Sequence, residues 1–140
     1  MCMRLRRMGL LIAAAALAFL PAARASAALL ISIDKTAQQM TVSIDDETLY
    51  TWPVSTGRRG YDTPSGTFTP FRMERDHYSR EWDDAPMPYS MFFTQRGHAI
   101  HGTNHRITGQ AASHGCVRLS IAVDLVIGAV DGVALLSEED

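Results

Sequence analysis

Cys116 lies in the run Ser113-His114-Gly115-Cys116-Val117-Arg118-Leu119, and four histidines (His98, His101, His105 and His114) fall within twenty residues of it. A thiolate is the nucleophilic form of cysteine, and an unperturbed thiol with a pKa of about 8.5 is ionised only to a few per cent near neutrality. A neighbouring imidazole can take that proton during attack and pass it to a leaving amine. His101 is the favoured base, because it ends the strand-like run His98-Ala99-Ile100-His101 and precedes the turn Gly102-Thr103-Asn104. A residue at a strand end is held rigidly. His114, two residues before the thiol, is the competing base, but an extended backbone there disfavours a direct hydrogen bond. Gly115 removes a side chain next to the sulfur and lets backbone N–H groups face a developing oxyanion.

The other cysteine, Cys2, belongs to an N-terminal stretch that reads as an export signal. Arg4, Arg6 and Arg7 precede the apolar run Gly9–Leu20 of 12 residues, short of the ~20 that span a bilayer. Pro21 breaks the run, and Ala25-Ser26-Ala27 fits small-x-small cleavage. Residues 1–27 are therefore expected to be a cleaved secretory signal, with cleavage after Ala25 the near alternative and an uncleaved anchor the structural one. Residues 28–140 then form one domain, exported to the periplasm or cell envelope. Removing the four signal arginines leaves nine basic residues against fifteen acidic ones, a net charge near −6 with Lys35 the only lysine. That balance argues against nucleic acid and anionic lipid as partners. No later stretch is apolar enough to cross a membrane as a helix, and a monomer is expected.

The elements that must position these residues read as strands and turns. Leu29–Asp34, Met40–Ile44 and Thr48–Val54 alternate as half-buried strands and suggest an antiparallel meander, with Asp45-Asp46-Glu47 a turn. Pro53 requires an edge or bulge position. A turn-rich segment from Ser55 to Gly66 follows, then extended structure at Thr67-Phe68-Thr69. Arg72 to Ser90, polar and aromatic with Pro86 and Pro88, reads as a long loop, functional or mobile. Met91–Thr94, Ala99–His101 and Val133–Leu136 read as further strands, and Ile121–Val130 as a short packed helix.

Ile100-His101-Gly102-Thr103 followed by Ser113-His114-Gly115-Cys116-Val117-Arg118-Leu119, with His101 and Cys116 fifteen positions apart, resembles the L,D-transpeptidase catalytic domain (YkuD type). Val54-Ser55-Thr56-Gly57, Thr63-Pro64-Ser65-Gly66-Thr67-Phe68 and Met87-Pro88-Tyr89 with Phe92-Phe93 resemble further segments of that family. The resemblance implies a mainly β, sandwich or barrel-like fold with one or two short helices and a long loop over the cleft. It implies acyl transfer on peptidoglycan stem peptides. Cys116 would attack the carbonyl of a tetrapeptide donor, and D-Ala would leave, protonated by His101. An amine acceptor would then resolve the thioester, forming a cross-link or attaching a protein to the wall; water would make the enzyme a carboxypeptidase. Ser113, His114 and Gly115 would shape the site and its oxyanion hole. Arg118, with Gly102 and Thr103, would hold substrate, the guanidinium matching a carboxylate. No cofactor is implied. Where many members have an asparagine after the Arg-Leu pair, this chain has Ser120-Ile121-Ala122.

Other assignments compete. His98 and His105 read as structural or surface residues rather than site residues, and His77 as a solvent- or substrate-facing one. Arg58 and Arg59 fit a solvated turn, while Tyr78, Trp82 and Tyr89 fit a lid or loop anchors. His98, His101 and His105 with Cys116 could supply zinc donors, but spacings of three and four on a strand and turn do not converge as on a helix. A non-catalytic wall-binding module would retain this fold without forming a thioester.

Overall fold

The computed structural model describes residues 28–120 and 133–137. The proposed signal and the helix expected at Ile121–Val130 lie outside them. Among the described residues nine strands form two sheets: β1 (Leu29–Asp34), β2 (Gln39–Ile44), β3 (Glu47–Pro53), β4 (Gly66–Phe68), β5 (Arg72–Ser79), β6 (Ala85–Phe92), β7 (Ala99–Thr103), β8 (Val117–Ser120) and β9 (Val133–Ser137). One sheet has the order β3-β2-β1-β9-β4 and the other β5-β6-β7-β8.

The meander expected from the sequence is present: β1 pairs with β2 and β2 with β3, all antiparallel. Leu29, Ile31 and Ile33 are buried while the intervening Leu30 and Ser32 are not, the period of two that the sequence displays. Asp45 and Asp46 close the β2–β3 hairpin at φ values of 48° and 67°. Two successive left-handed residues match the twist of the flanking strands, and aspartate tolerates that conformation. Pro53 ends the edge strand β3, where its missing donor costs no ladder bond.

Leu29, Ile31, Ile33, Met40 and Val42 of the first sheet, with Val54 just beyond β3, share one core with Met91, Ile100, Val117 and Leu119 of the second. The alternating faces thus close into a mainly β sandwich.

Arg72–Ser90 corrects the loop reading. It is a hairpin of β5 and β6, paired from Arg72↔Phe92 to Ser79↔Ala85. The strand signal was hidden because β5 is an edge strand with mostly exposed polar residues, and because β6 carries two prolines. Both prolines are tolerated because β7 pairs with β6 only at Met91 and Phe92. The outer half of β6 therefore has a single partner strand. Asp83 and Asp84 turn this hairpin, again at positive φ, with Ala85 N–H donating to the Trp82 carbonyl at 2.9 Å.

Candidate active site

β7 and β8 run parallel, with Ile100 opposite Val117 and His101 opposite Arg118. The chain between them, 104–116, makes the crossover and delivers Cys116 to the start of β8. The sequence-predicted residues His101, Thr103, Ser113, His114, Cys116 and Arg118 all line one cleft of about 1250 Å³. The β5–β6 hairpin forms a wall of it.

His101 is buried, and its Nδ1–H donates to the Gly102 carbonyl at 2.8 Å. That bond fixes the tautomer and leaves Nε2 as the proton acceptor. Burial is the main cause that pushes the His101 pKa down to about 4; the Gly102 bond opposes it, while the charges of Arg118 and His77 add to it. Cys116 is half-buried, with Sγ 3.8 Å from the Gly97 carbonyl. Burial raises its pKa, opposed by a hydrogen bond from the Ala99 backbone and by the charge of Arg118. At neutral pH the pair is therefore a neutral thiol and a neutral imidazole.

The turn that holds the thiol is tied by side chains. Ser113 Oγ donates to the Cys116 carbonyl at 2.5 Å and accepts the Gly115 N–H at 3.1 Å. This corrects the expected oxyanion hole, since the Gly115 N–H already has a partner in Ser113. Gly115 itself lies at φ 114°, and a Cβ there would meet the His98 ring, with Cδ2 at 2.9 Å and Nε2 at 3.0 Å. His98 is the structural residue of its alternatives: Thr94 Oγ1 accepts its backbone N–H at 3.2 Å and hydrogen-bonds its Nδ1 at 2.8 Å. Gly102 is buried and does not line the cleft. Its part is the carbonyl that orients His101, not the substrate contact expected of it.

His114 is exposed and turned to another cluster. Its Nε2 accepts from Arg58 Nη2 at 2.8 Å, its ring stacks on Trp82 at 3.9 Å, and Tyr61 meets it edge-on at 4.8 Å. Desolvation and the Arg58 charge hold its pKa below the ordinary value. With that nitrogen engaged, His114 is a poor base for Cys116. Arg58 serves this cluster as more than a solvated turn residue, and Trp82 carries the hairpin tip onto the motif. Arg118 Nη2 reaches Ser55 Oγ at 3.4 Å, while its buried Nε has no partner among the described residues. His105 is exposed and binds through its backbone to Thr103 Oγ1. Among the described residues no three His, Cys, Asp or Glu side chains converge as a metal ligand set, and no helix is long and apolar enough to cross a membrane.

A family model described as the L,D-transpeptidase catalytic domain (YkuD) matches residues 29–126. The chain belongs to this family. The Bacillus subtilis (strain 168) protein that carries the YkuD name is 28% identical to this L,D-transpeptidase domain over 91 residues, covering 64% of this chain and 52% of the relative. A solved L,D-transpeptidase from Mycobacterium tuberculosis H37Rv superposes with a TM-score of 0.74 at 26% identity, over 81% of this chain and 58% of that one. One from Mycobacterium smegmatis gives 0.73 at 25%, over 81% and 59%. L,D-transpeptidase 3 from Mycobacterium tuberculosis, solved with a faropenem-derived adduct, gives 0.71 at 25%, over 81% and 61%. The chain thus spans between half and two thirds of the length of these relatives.

Within this L,D-transpeptidase domain, the segments upstream of the motif turn out to be its scaffold. Ser55 pairs with Arg118 in both backbone directions at 2.9 Å, and the Thr56 carbonyl accepts the N–H groups of Ala112 and Ser113 at 3.0 Å each. Gln38 holds Thr56 by its side chain, donating to Oγ1 at 2.6 Å and accepting the Thr56 N–H at 2.9 Å. Thr63 Oγ1 accepts the Gly57 N–H and donates to the Gly115 carbonyl, both at 2.9 Å. The sequence reading missed Gln38, Ser55, Thr56 and Thr63 as positioning residues. A buried hydroxyl looks like an exposed one in sequence; the available signal was the recurrence of a Ser/Thr-Gly pair, Thr56-Gly57 and Ser65-Gly66, in both segments.

Proposed function

We propose that this domain is a cysteine L,D-transpeptidase acting on peptidoglycan stem peptides. The observation that carries the reading is that Cys116 and His101 line one cleft, with the His101 tautomer locked so that Nε2 is its proton acceptor. A neutral pair requires the proton to move during attack. His101 Nε2 takes it from Cys116 as the sulfur bonds to the donor carbonyl, then gives it to the departing D-alanine amine. The backbone N–H of Cys116 is the remaining motif donor for the oxyanion. Arg118, a cation whose buried Nε has no partner among the described residues, suits a substrate carboxylate. An amine acceptor, a neighbouring stem peptide or a wall-attached protein, then resolves the thioester. The domain works in the periplasm or cell envelope after loss of residues 1–27.

The test is to incubate the protein with a tetrapeptide muropeptide and identify products by mass. A dimer is the expected product and free tripeptide would make the enzyme a carboxypeptidase. Absence of both, with no thioester, would leave a binding module. Cys116→Ala should abolish turnover while the fold persists, and His101→Ala should slow acylation by about 10²–10⁴-fold. A carbapenem should add its mass to the wild type and not to Cys116→Ala. Greater damage from His114→Ala than from His101→Ala would overturn the choice of base.

A further inference from the structure

Among the imidazoles that line the cleft beside His101, one that the acylation step does not use is held by a carboxylate. His77 on β5 bonds through Nδ1 to Glu74 Oε2 at 2.6 Å, and Arg72 Nε lies 3.3 Å from the other oxygen, Glu74 Oε1. The His77 bond and the Arg72 charge hold the Glu74 carboxyl below its ordinary pKa. Glu74 is therefore an anion that accepts the Nδ1 proton, which leaves His77 Nε2 as an acceptor. The ring stands edge-on against Phe92, with centroids 4.9 Å apart, and Phe92 belongs to the small cluster on which Cys116 packs. Arg72, Glu74, His77, His101 and Arg118 all line the cleft, and β5 and β6 add Arg75, Asp76, Tyr78 and Tyr89 to the charged or titratable groups around His77.

Resting on the transpeptidase reading, we propose that His77, oriented by Glu74, takes the first proton from the acceptor ammonium, making the Cys116 thioester open to aminolysis as well as hydrolysis. The need follows from proton counting. A primary ammonium of pKa about 10.4 is free base in less than one part in a thousand at pH 7. Two protons must leave its nitrogen on the way to an amide, and His101 has one acceptor atom. One proton passes from the ammonium to His77 Nε2. The amine lone pair then forms the C–N bond at the thioester carbonyl, and the C–S bond breaks. The second proton passes from nitrogen through His101 Nε2 to sulfur. The products are an amide, the Cys116 thiol and one proton, which His77 releases to solvent at the cleft mouth. A proton on His77 also lowers the proton affinity of His101, which favours the transfer to sulfur.

The test follows single turnovers of a tetrapeptide muropeptide by mass, reading thioester formation, dimer and hydrolysed tripeptide separately. In His77→Gln the dimer-to-tripeptide ratio at pH 7 should fall about 10²-fold while thioester formation slows at most a few-fold. The ratio should recover near pH 9–10, where the amine deprotonates unaided. Glu74→Gln should lose less in the same direction. An unchanged ratio, a loss not recovered at high pH, or a parallel loss of thioester formation would overturn the assignment of His77 and leave the Cys116 chemistry standing. A wild type that forms thioester but yields only tripeptide would overturn it too. A wild type with no thioester on Cys116 would sink the transpeptidase reading itself.

Discussion

Gly115→Ala is the sharpest perturbation available next to the thiol. The glycine lies at φ 114°, where a residue with a Cβ costs about 1–3 kcal/mol. The new Cβ would also stand 2.9 Å from His98 Cδ2 and 3.0 Å from Nε2. The His98 ring can yield only by giving up its 2.8 Å bond to Thr94 Oγ1, worth about 1 kcal/mol. Backbone strain is therefore the larger share. For a domain of this size, 1–3 kcal/mol corresponds to a fall in Tm of about 4–12 °C. The same strain displaces Cys116, whose carbonyl and preceding N–H are both held by Ser113. A shift on the order of 1 Å at the nucleophile costs about 10²-fold in acylation. Calorimetry and the rate of carbapenem addition by intact-protein mass spectrometry measure the two effects. The double variant with His98→Ala removes the clash but not the φ strain, so it should restore less than half of the lost stability. Wild-type Tm and acylation in Gly115→Ala would refute the argument. Full rescue by the double variant would show that the clash, not the backbone, dominates.

Other outcomes follow from the same geometry. Because the folded pKa of His101, about 4, lies below its ordinary 6.5, the unfolded chain takes up that proton first. Its stabilising contribution is complete above about pH 6.5 and is lost as pH falls through 4, by about 3 kcal/mol in all. His101→Gln should flatten that part of the urea-unfolding profile. For the same reason the acid limb of wild-type acylation should fall near pH 4, and a limb near 6.5 would contradict the buried neutral imidazole. Thr63→Val strands the Gly57 N–H and the Gly115 carbonyl and should lower stability by about 2–4 kcal/mol in denaturant melts. Arg118→Lys keeps the charge but loses the planar fork; KM for the donor should rise about tenfold with kcat little changed, and an unaltered KM would argue against a substrate carboxylate there.

What the sequence disclosed depended on whether a residue's role has a local signature. The β1–β3 meander was legible because Ile31, Ile33, Met40 and Val42 alternate with polar neighbours and Asp45-Asp46 marks the turn. The β5–β6 hairpin was not, because an edge strand with one partner needs no apolar face. The second Asp-Asp pair, Asp83-Asp84, with the positive φ values of the first, was the one available clue. That Cys116 and His101 would share one cleft was legible from type and spacing. That His114 would bind Arg58 and Trp82 rather than face the thiol was not, because it depends on two segments that only the fold brings together.

The same arrangement bears on how a lone thiol persists outside the cytoplasm, in the periplasm or cell envelope proposed for this domain. Oxidation and disulfide exchange proceed through the thiolate. A preformed thiolate–imidazolium pair would be exposed to both before any substrate arrived. Here burial works in the opposite direction on each partner, raising the pKa of Cys116 and lowering that of His101, so the uncharged forms are the resting ones. In the proposed mechanism nucleophilicity then appears only when a carbonyl is in place to accept the electrons as His101 takes the proton. The cost is that nothing drives attack in advance, so the rate rests on position. On the proposed mechanism that requirement accounts for the buried polar scaffold beneath the motif: Gln38, Ser55, Thr56, Thr63 and Ser113 fix the turn that carries a thiol inert until the geometry is complete.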